Sequence, residues 1–387
     1  MKVIAVVGIA AMGLAACGSS KKAATSPPTT TGSGGTGSGT TLKLGFFGAL
    51  TGADAQLGIN IEDGEKLAVS QYSATNPSVK VTVVPFDSQG DPAQANNGAN
   101  TLINDKVVAV IGPAFSGESA AADPIFEAAG IPNVSASATN VALASHGYKY
   151  FHRVLAADDA QGAGDADYLV KTLGAKTVAV IDDSSTYGEG LATVVRATLK
   201  TNGGTDVFDD HIAATGTDYG ATVNNIVSKK PAAVFFGGYY DAAGRLINQL
   251  RAKGYTGKFM SGDGSEDAKF ITDAGGAPAA GAFLSCACAD ATKLPAAQAF
   301  VSGYRAAYGT APAIYSGEAY DATNFVLAAI KSGGATTPSA INTYLANNSY
   351  SGITKTIKFL PNGNVSGGTI YVYEVQNGQI VQIGTTS

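Results

Sequence analysis

The stretch LKLGFFGALTG at residues 42–52 decides the fold. Its first part, 42–47, is a short and mostly apolar run of the kind that forms a buried strand. The continuation, 48–52, is rich in glycine and predicts a tight turn directly after that strand. A buried strand followed by a glycine-rich turn is how a unit of parallel sheet and helix begins.

The same arrangement recurs along the chain. Further strands are predicted at 79–86, 107–111, 177–181 and 233–236. Apolar positions at helical spacing lie between them, at Ile61, Gly64, Ala68 and Tyr72 and again at Ala95, Ala99, Leu102 and Ile103. A first series fills 42 to about 155 and a second begins near Leu169. We therefore predict an α/β fold of two doubly wound, mainly parallel sheets, each covered by helices on both faces.

Residues that directly follow the strands are the candidates for function, because ligands of such sheets sit beyond the carboxyl ends of the strands. These residues are glycines, hydroxyl side chains and aromatics with few charges, at 48–52, 86–88, 112–117, 182–185 and 237–240. Groups of this kind enclose and orient a small ligand without attacking it. The pattern favours a binding pocket.

The amino terminus indicates export. Met1 and Lys2 precede an apolar run, 3–16, that has the layout of a secretory signal. The end of this run, Leu14-Ala15-Ala16-Cys17, resembles the bacterial lipobox, which implies a signal peptide of residues 1–16 and an acylated Cys17. An ordinary signal peptide with a chance cysteine is the alternative. Residues 17–41 are almost all small or polar and predict a flexible tether.

Charge and hydropathy narrow the binding partners that the sequence predicts. The net charge of −5 gives no electrostatic reason to bind nucleic acid or an anionic membrane surface. No segment beyond the signal has 18 continuous apolar residues, so we expect contact with the membrane only through the lipid anchor, on the outer face of the cell membrane.

The remaining cysteines, Cys286 and Cys288, are separated by one residue. In an exported protein we favour a disulfide between them, with free buried thiols, or redox or metal chemistry, as the alternatives. The three histidines, His146, His152 and His211, lack metal-ligand spacing, and we expect them at the surface or at helix ends. We expect no metal and no cofactor.

A secreted enzyme is the main rival class. The chain has no Gly-x-Ser-x-Gly elbow and no phosphate-binding loop ending in Gly-Lys-Ser or Gly-Lys-Thr. Paired carboxylates of the glycosidase kind stay open as an alternative, because acidic residues far apart in the sequence can meet in space. We therefore predict a protein that is not an enzyme. A sensor that signals through a separate membrane partner would have the same sequence features.

Several motifs in register resemble the branched-chain amino-acid binding proteins of ABC transporters, which have the type I periplasmic-binding fold. The resemblance covers residues 42 to about 381 and rests, in chain order, on 44–52 with Gln56 and Gly58, on 86–87 with 91–95, and on 111–113, 135–140, 187–190, 237–239 and 260–264. It implies two lobes joined by a three-stranded hinge, a small amino acid held between them, and delivery to the permease subunits of an importer. We expect a monomer.

The resemblance also implies roles for particular residues. Ser116 would bind the carboxylate of the ligand at the start of a helix, and Ser137 and Thr139 would contact its carboxyl and amino groups. Asp263 would pair with its ammonium, and Tyr187 and Tyr239 would close over it from the second lobe.

Each role has a plainer alternative. Ser116 and Thr139 would then only cap helices, and the two tyrosines would be ordinary edge aromatics. Asp263 would be a solvated turn residue between two glycines.

Departures from the family leave the ligand open. Leu57 stands where the family has an aromatic residue in its first loop, and by the same resemblance Phe115, beside Ala114, would form the pocket wall near the carboxylate-binding turn. Both changes alter the space for the side chain of the ligand. Amides, urea and small aromatic acids are the alternative ligands, and Asp263 argues for a ligand with an amine.

By the same resemblance the chain crosses between lobes three times, near 155–159, 285–289 and 364–367. The first lobe would comprise 42–155 and 289–364, and the second 156–288 and 365–387. Closure would then be a hinge bend with the ligand as the latch.

Overall fold

The computed structural model describes residues 40–76 and 78–386. The signal peptide, Cys17 and nearly all of the tether lie outside the described residues. Within the described part, no helix is both long enough and apolar enough to cross a membrane.

The first half of the chain builds a five-stranded parallel sheet. Its strand order is β2-β1-β3-β4-β5, and β1 pairs with β2 along its whole length. Leu44 and Phe46 of β1 are fully buried, as the apolar run predicted. The elements are β1 (Thr40–Gly48), α1 (Ala55–Thr75), β2 (Val79–Asp87), α2 (Ala95–Asn104), β3 (Ala109–Ile111), α3 (Ser116–Ala129), β4 (Asn133–Ser135) and β5 (Phe151–Arg153).

The next part repeats the alternation and begins a second sheet. All five strand predictions are confirmed, with ends within two residues, and the predicted apolar faces of the first two helices are buried except for Ile103. The elements are α4 (Asp158–Asp167), β6 (Thr177–Asp182), α5 (Thr186–Asn202), β7 (Thr205–His211), α6 (Gly220–Lys229), β8 (Ala233–Gly237), α7 (Tyr240–Ala252), β9 (Lys258–Ser261), α8 (Ala268–Asp273) and β10 (Phe283–Cys286).

The last part of the chain contributes a helix that packs on the first sheet and two strands of the second sheet. It contains α9 (Gln298–Tyr308), α10 (Ser316–Gly333), α11 (Pro338–Asn347), β11 (Ser349–Ser351), β12 (Thr356–Lys358), β13 (Tyr371–Gln376) and β14 (Gln379–Thr385). Helix α10 packs on α1, β3 and β4. Strands β13 and β14 complete a seven-stranded sheet of order β14-β13-β10-β9-β8-β6-β7, in which only these two strands run antiparallel to their neighbours.

We call the five-stranded sheet with its helices the first lobe and the seven-stranded sheet with its helices the second lobe. Strands of the first sheet come from 40–153, and those of the second from 177–286 and 371–385. The predicted lobe boundaries fall between these sets of strands and stay a prediction. The two-lobe α/β architecture itself agrees with the sequence.

Candidate functional site

The carboxyl ends of strands from both sheets meet at one small cavity. Strands β3 and β4 bring the first-lobe loops to it, and β6, β8 and β9 bring those of the second lobe. This is the position expected for a ligand of doubly wound sheets. The residues that line it are Leu57, Ala114, Phe115, Ser116, Ser137, Tyr187, Tyr239, Asp263, Gly264 and Tyr315.

The start of α3 forms one polar end of the cavity. Ser116 is the first residue of this helix, where backbone N–H groups lack partners within the helix and the helix dipole favours an anion. The Ser116 hydroxyl accepts a hydrogen bond from the Asn140 amide (3.2 Å), so it also links two first-lobe loops. A hydroxyl and a helix amino terminus are well suited to a carboxylate.

The loop after β4 supports that end. Ser137 lines the cavity and its hydroxyl donates to the Ala114 carbonyl, while Ser135 donates to the Pro113 carbonyl (2.7 Å). Thr139 is fully buried but does not line the cavity. Its carbonyl accepts from the amide of Asp158 (3.0 Å), where the chain enters the second lobe.

Asp263 supplies a second polar group to the cavity, from the second lobe. It follows β9 in a short 3₁₀ turn, Asp263–Ser265, and only 1% of its surface is exposed. Tyr187 donates to its Oδ1 (2.6 Å) and Tyr315 to its Oδ2 (2.7 Å). The alternative of a solvated turn residue is therefore wrong, because the turn is packed beneath two buried aromatic rings.

Two carboxyl groups with raised pKa values, Asp263 and Asp158, lie close together at this end. Burial raises the pKa of Asp263, and the hydrogen bonds from the two tyrosines act in the opposite direction. Burial, and next the charge of Asp263, raise the pKa of Asp158 to about 8. Buried carboxyl groups this close together favour the arrival of a positive group.

Aromatic and aliphatic side chains form the walls. The ring of Tyr239 lies 5.0 Å from that of Phe115 in an edge-to-face arrangement and 5.2 Å from that of Tyr187. Phe115 belongs to the first lobe and Tyr239 to the second, so this contact closes the cavity between the lobes. Leu57 is buried in the first turn of α1, so the expectation that it lies in a loop is wrong: the helix begins at Ala55.

Sequence reasoning missed Tyr315. This residue lies immediately before α10, about 50 positions from Asp263, and no local motif marks it. What distinguishes Tyr315 is its φ of 66°, which is rare for a non-glycine residue, and this property is visible only in the three-dimensional structure.

The cysteine pair lies apart from the cavity lining. Cys286 and Cys288 form a disulfide at the end of β10, within 4.8 Å of a carboxylate oxygen of Glu266. Thiolates, not disulfide sulfurs, are the usual metal ligands, so this arrangement does not favour a metal site.

The prediction for the histidines fails at His152. This side chain lies in β5 and is buried, and its Nε2 is 2.7 Å from Asn342 Oδ1. Burial lowers its pKa to about 4. His211 lies at the end of β7, with Nδ1 2.7 Å from the carboxylate of Asp182.

Known proteins with similar sequences bind amino acids. An amino acid binding protein of Pseudomonas aeruginosa is 34% identical over 298 residues, which cover 76% of this chain and 79% of that protein. The Leu/Ile/Val-binding protein BraC3 of Rhizobium johnstonii is 30% identical over 345 residues, covering 88% and 93%.

A solved structure supports the same assignment. The branched-chain amino acid transporter substrate binding protein LivJ of Streptococcus pneumoniae, in complex with isoleucine, is 30% identical and superposes with a TM-score of 0.82, covering 89% of this chain and 99% of that one. The periplasmic binding protein family matches residues 41–379. With two lobes around one cavity and this match along nearly all of the described residues, the chain belongs to the periplasmic binding protein family.

Proposed function

We propose that this chain is an extracytoplasmic solute-binding protein that holds a small amino acid, of the branched-chain type, and delivers it to an ABC importer. One observation carries the proposal: Asp263, and Ser116 at the amino terminus of α3, line the same cavity. One end suits an ammonium and the other a carboxylate, as the α-amino-acid group requires.

The remaining lining suits an apolar side chain. Leu57, Ala114 and Phe115 from the first lobe and Tyr239 from the second supply carbon surface with no charge. The relatives whose names specify leucine, isoleucine and valine support the same ligand class. Direct contact of Ser137 with the amino-acid group belongs to this proposal. The contact expected for Thr139 does not, because Thr139 does not line the cavity.

Export and anchoring belong to the proposal as well. The sequence pattern at 1–17 supports cleavage before Cys17 and acylation of its thiol. We propose that the body works as a monomer beside the outer face of the cell membrane. Cys17→Ser is expected to move the protein from the membrane fraction to the soluble fraction. If Cys17 carries no acyl chain, the substitution will leave the distribution between the two fractions unchanged.

A ligand screen tests the binding step. The protein is unfolded and refolded to remove carried-over ligand, and its thermal unfolding is followed with amino acids, amides and small aromatic acids. A ligand at a hundred times its dissociation constant should stabilise the fold by about 2.7 kcal/mol. We expect leucine, isoleucine or valine to do so.

Two analogues of leucine separate the ends of the site. 4-Methylpentanoate lacks the ammonium and 3-methylbutylamine lacks the carboxylate, and both keep the branched chain. We expect neither to match leucine. If 4-methylpentanoate, an amide or an aromatic acid stabilises the protein and no amino acid does, the amino-acid proposal fails while a solute-binding role stands.

A further inference from the structure

Tyr315 has a backbone conformation that is unfavourable for a residue with a side chain. It lies at φ 66° and ψ −14°, immediately before α10. Non-glycine residues rarely occupy this region, and where they do, the surrounding structure holds them there, often at functional sites. Its side chain is buried, with 3% of its surface exposed.

The hydroxyl of Tyr315 connects the two lobes. The helix that follows Tyr315, α10, packs on α1, β3 and β4 of the first lobe. Its hydrogen-bond partner, Asp263, follows β9 of the second lobe, and the distance from the Tyr315 hydroxyl oxygen to Asp263 Oδ2 is 2.7 Å. The other tyrosine on this carboxylate, Tyr187, follows β6 and belongs to the same lobe as Asp263.

We propose that Tyr315 is a built-in latch: its hydroxyl joins the first lobe to the Asp263 carboxylate, favours the closed arrangement of the lobes, and holds Asp263 in place for the ligand. The proposal deepens the proposed function, on which it rests for the identity of the ligand alone. The ligand is then not the only group that holds the lobes together.

The physical reason is that this bond exists only when the lobes approach each other. Opening the hinge separates Tyr315 from Asp263, whereas the Tyr187–Asp263 bond stays within one lobe in either state. A hydrogen bond to a buried carboxylate is stronger than one between neutral groups, so its loss shifts the population toward the open state. A ligand that binds the closed state then loses apparent affinity in proportion.

Tyr315→Phe removes the hydroxyl and keeps the ring. Tyr320→Phe is the matched control, because Tyr320 lies on α10 and its hydroxyl bonds to Gln71 within the first lobe (2.6 Å). Donor and acceptor dyes on unnatural amino acids at Asn97 of α2 and Lys200 of α5, both exposed, report the distance between the lobes by energy transfer.

In the ligand-free protein we expect Tyr315→Phe to increase the open fraction and Tyr320→Phe to leave it unchanged. With leucine, Tyr315→Phe should weaken binding about tenfold or more, as expected for a hydrogen bond to a charged group. The latch is disproved if the ligand-free distance distribution of Tyr315→Phe equals that of the wild type, whatever happens to affinity. Failure of the proposed function would look different: the wild type would not bind leucine, while the ligand-free distances would still respond to Tyr315→Phe.

Discussion

At the scale of single residues, Asp263 is the side chain on which the proposed ligand chemistry depends. It is buried and receives hydrogen bonds from two tyrosines that orient both of its oxygens. A carboxylate fixed in this way needs no rearrangement to receive an ammonium. Such pre-organisation raises affinity by lowering the cost of ordering.

We expect Asp263→Ala to weaken amino-acid binding by about 1.5 to 3 kcal/mol, the contribution of a hydrogen bond to a charged group. Isothermal titration with the ligand found in the screen measures the change. Asp209→Ala is the control, because it removes an exposed carboxylate from the same lobe. Unchanged affinity of Asp263→Ala would remove this residue from the site.

At the scale of elements, the amino terminus of α3 depends on a buried glutamate. Glu118 accepts a hydrogen bond from the amide of Phe115 (3.2 Å) and another from the Ser88 hydroxyl, which positions the turn that carries Ser116. Burial raises the pKa of Glu118 from its ordinary 4.5 to about 8. The carboxyl group therefore keeps its proton in the folded protein at neutral pH.

This pKa shift makes stability depend on pH. From pH 4.5 to pH 8 the folded protein keeps a proton on Glu118 that the unfolded chain releases, so the free energy of unfolding falls as the pH rises, by at most about 1.4 kcal/mol per pH unit from this group. Glu118→Gln should remove this part of the slope in denaturant titrations between pH 5 and pH 8. Equal slopes for wild type and variant would contradict the prediction.

Lys355 contacts two of the segments through which the chain passes between the lobes. Its ammonium donates to the carbonyls of Val154 (3.3 Å) and Ala287 (3.1 Å), which lie in two of the segments that connect the sheets. Burial lowers the pKa of Lys355, and the carboxyl groups of Glu318 and Asp321 partly oppose this by favouring its charged form. One side chain thus ties the hinge segments together.

Lys355→Met keeps the aliphatic stem and removes the ammonium. We expect it to lower the free energy of unfolding by about 1 to 3 kcal/mol, because two carbonyls lose a charged donor. Chemical denaturation measures the change, and Lys331→Met, on the exposed face of α10, should change stability far less. Equal effects of the two substitutions would mean that the hinge contact contributes nothing.

At the scale of the whole molecule, closure also uses polar contacts beside the cavity. The Tyr240 hydroxyl, from α7 of the second lobe, donates to the Ala53 carbonyl (2.8 Å) and accepts from the Gln56 amide (3.2 Å) of the first lobe. We expect these bonds to break when the lobes separate. They should therefore slow the release of ligand more than they affect its arrival.

We expect Tyr240→Phe to raise the ligand dissociation rate about fivefold or more, from the loss of both hydrogen bonds, each worth about 0.5 to 1.5 kcal/mol. Stopped-flow fluorescence measures dissociation and association separately. Tyr308→Phe, whose hydroxyl bonds to the Asp63 carbonyl within the first lobe, is the control. A change confined to the association rate would show that Tyr240 acts on entry of the ligand and not on closure.

The sequence by itself determined the alternation of strands and helices. Strands of a buried parallel sheet are continuous apolar runs, and the helices that cover it have apolar residues at helical spacing; both patterns are local properties of the chain. It also indicated the loops that reach the cavity, since these directly follow the strands. Tyr315, the burial of His152 and the orientation of Asp263 were decided only by the tertiary structure. Each depends on contacts between residues far apart in the chain, such as the bond between Tyr315 and Asp263, and such contacts leave no periodic signal in the sequence.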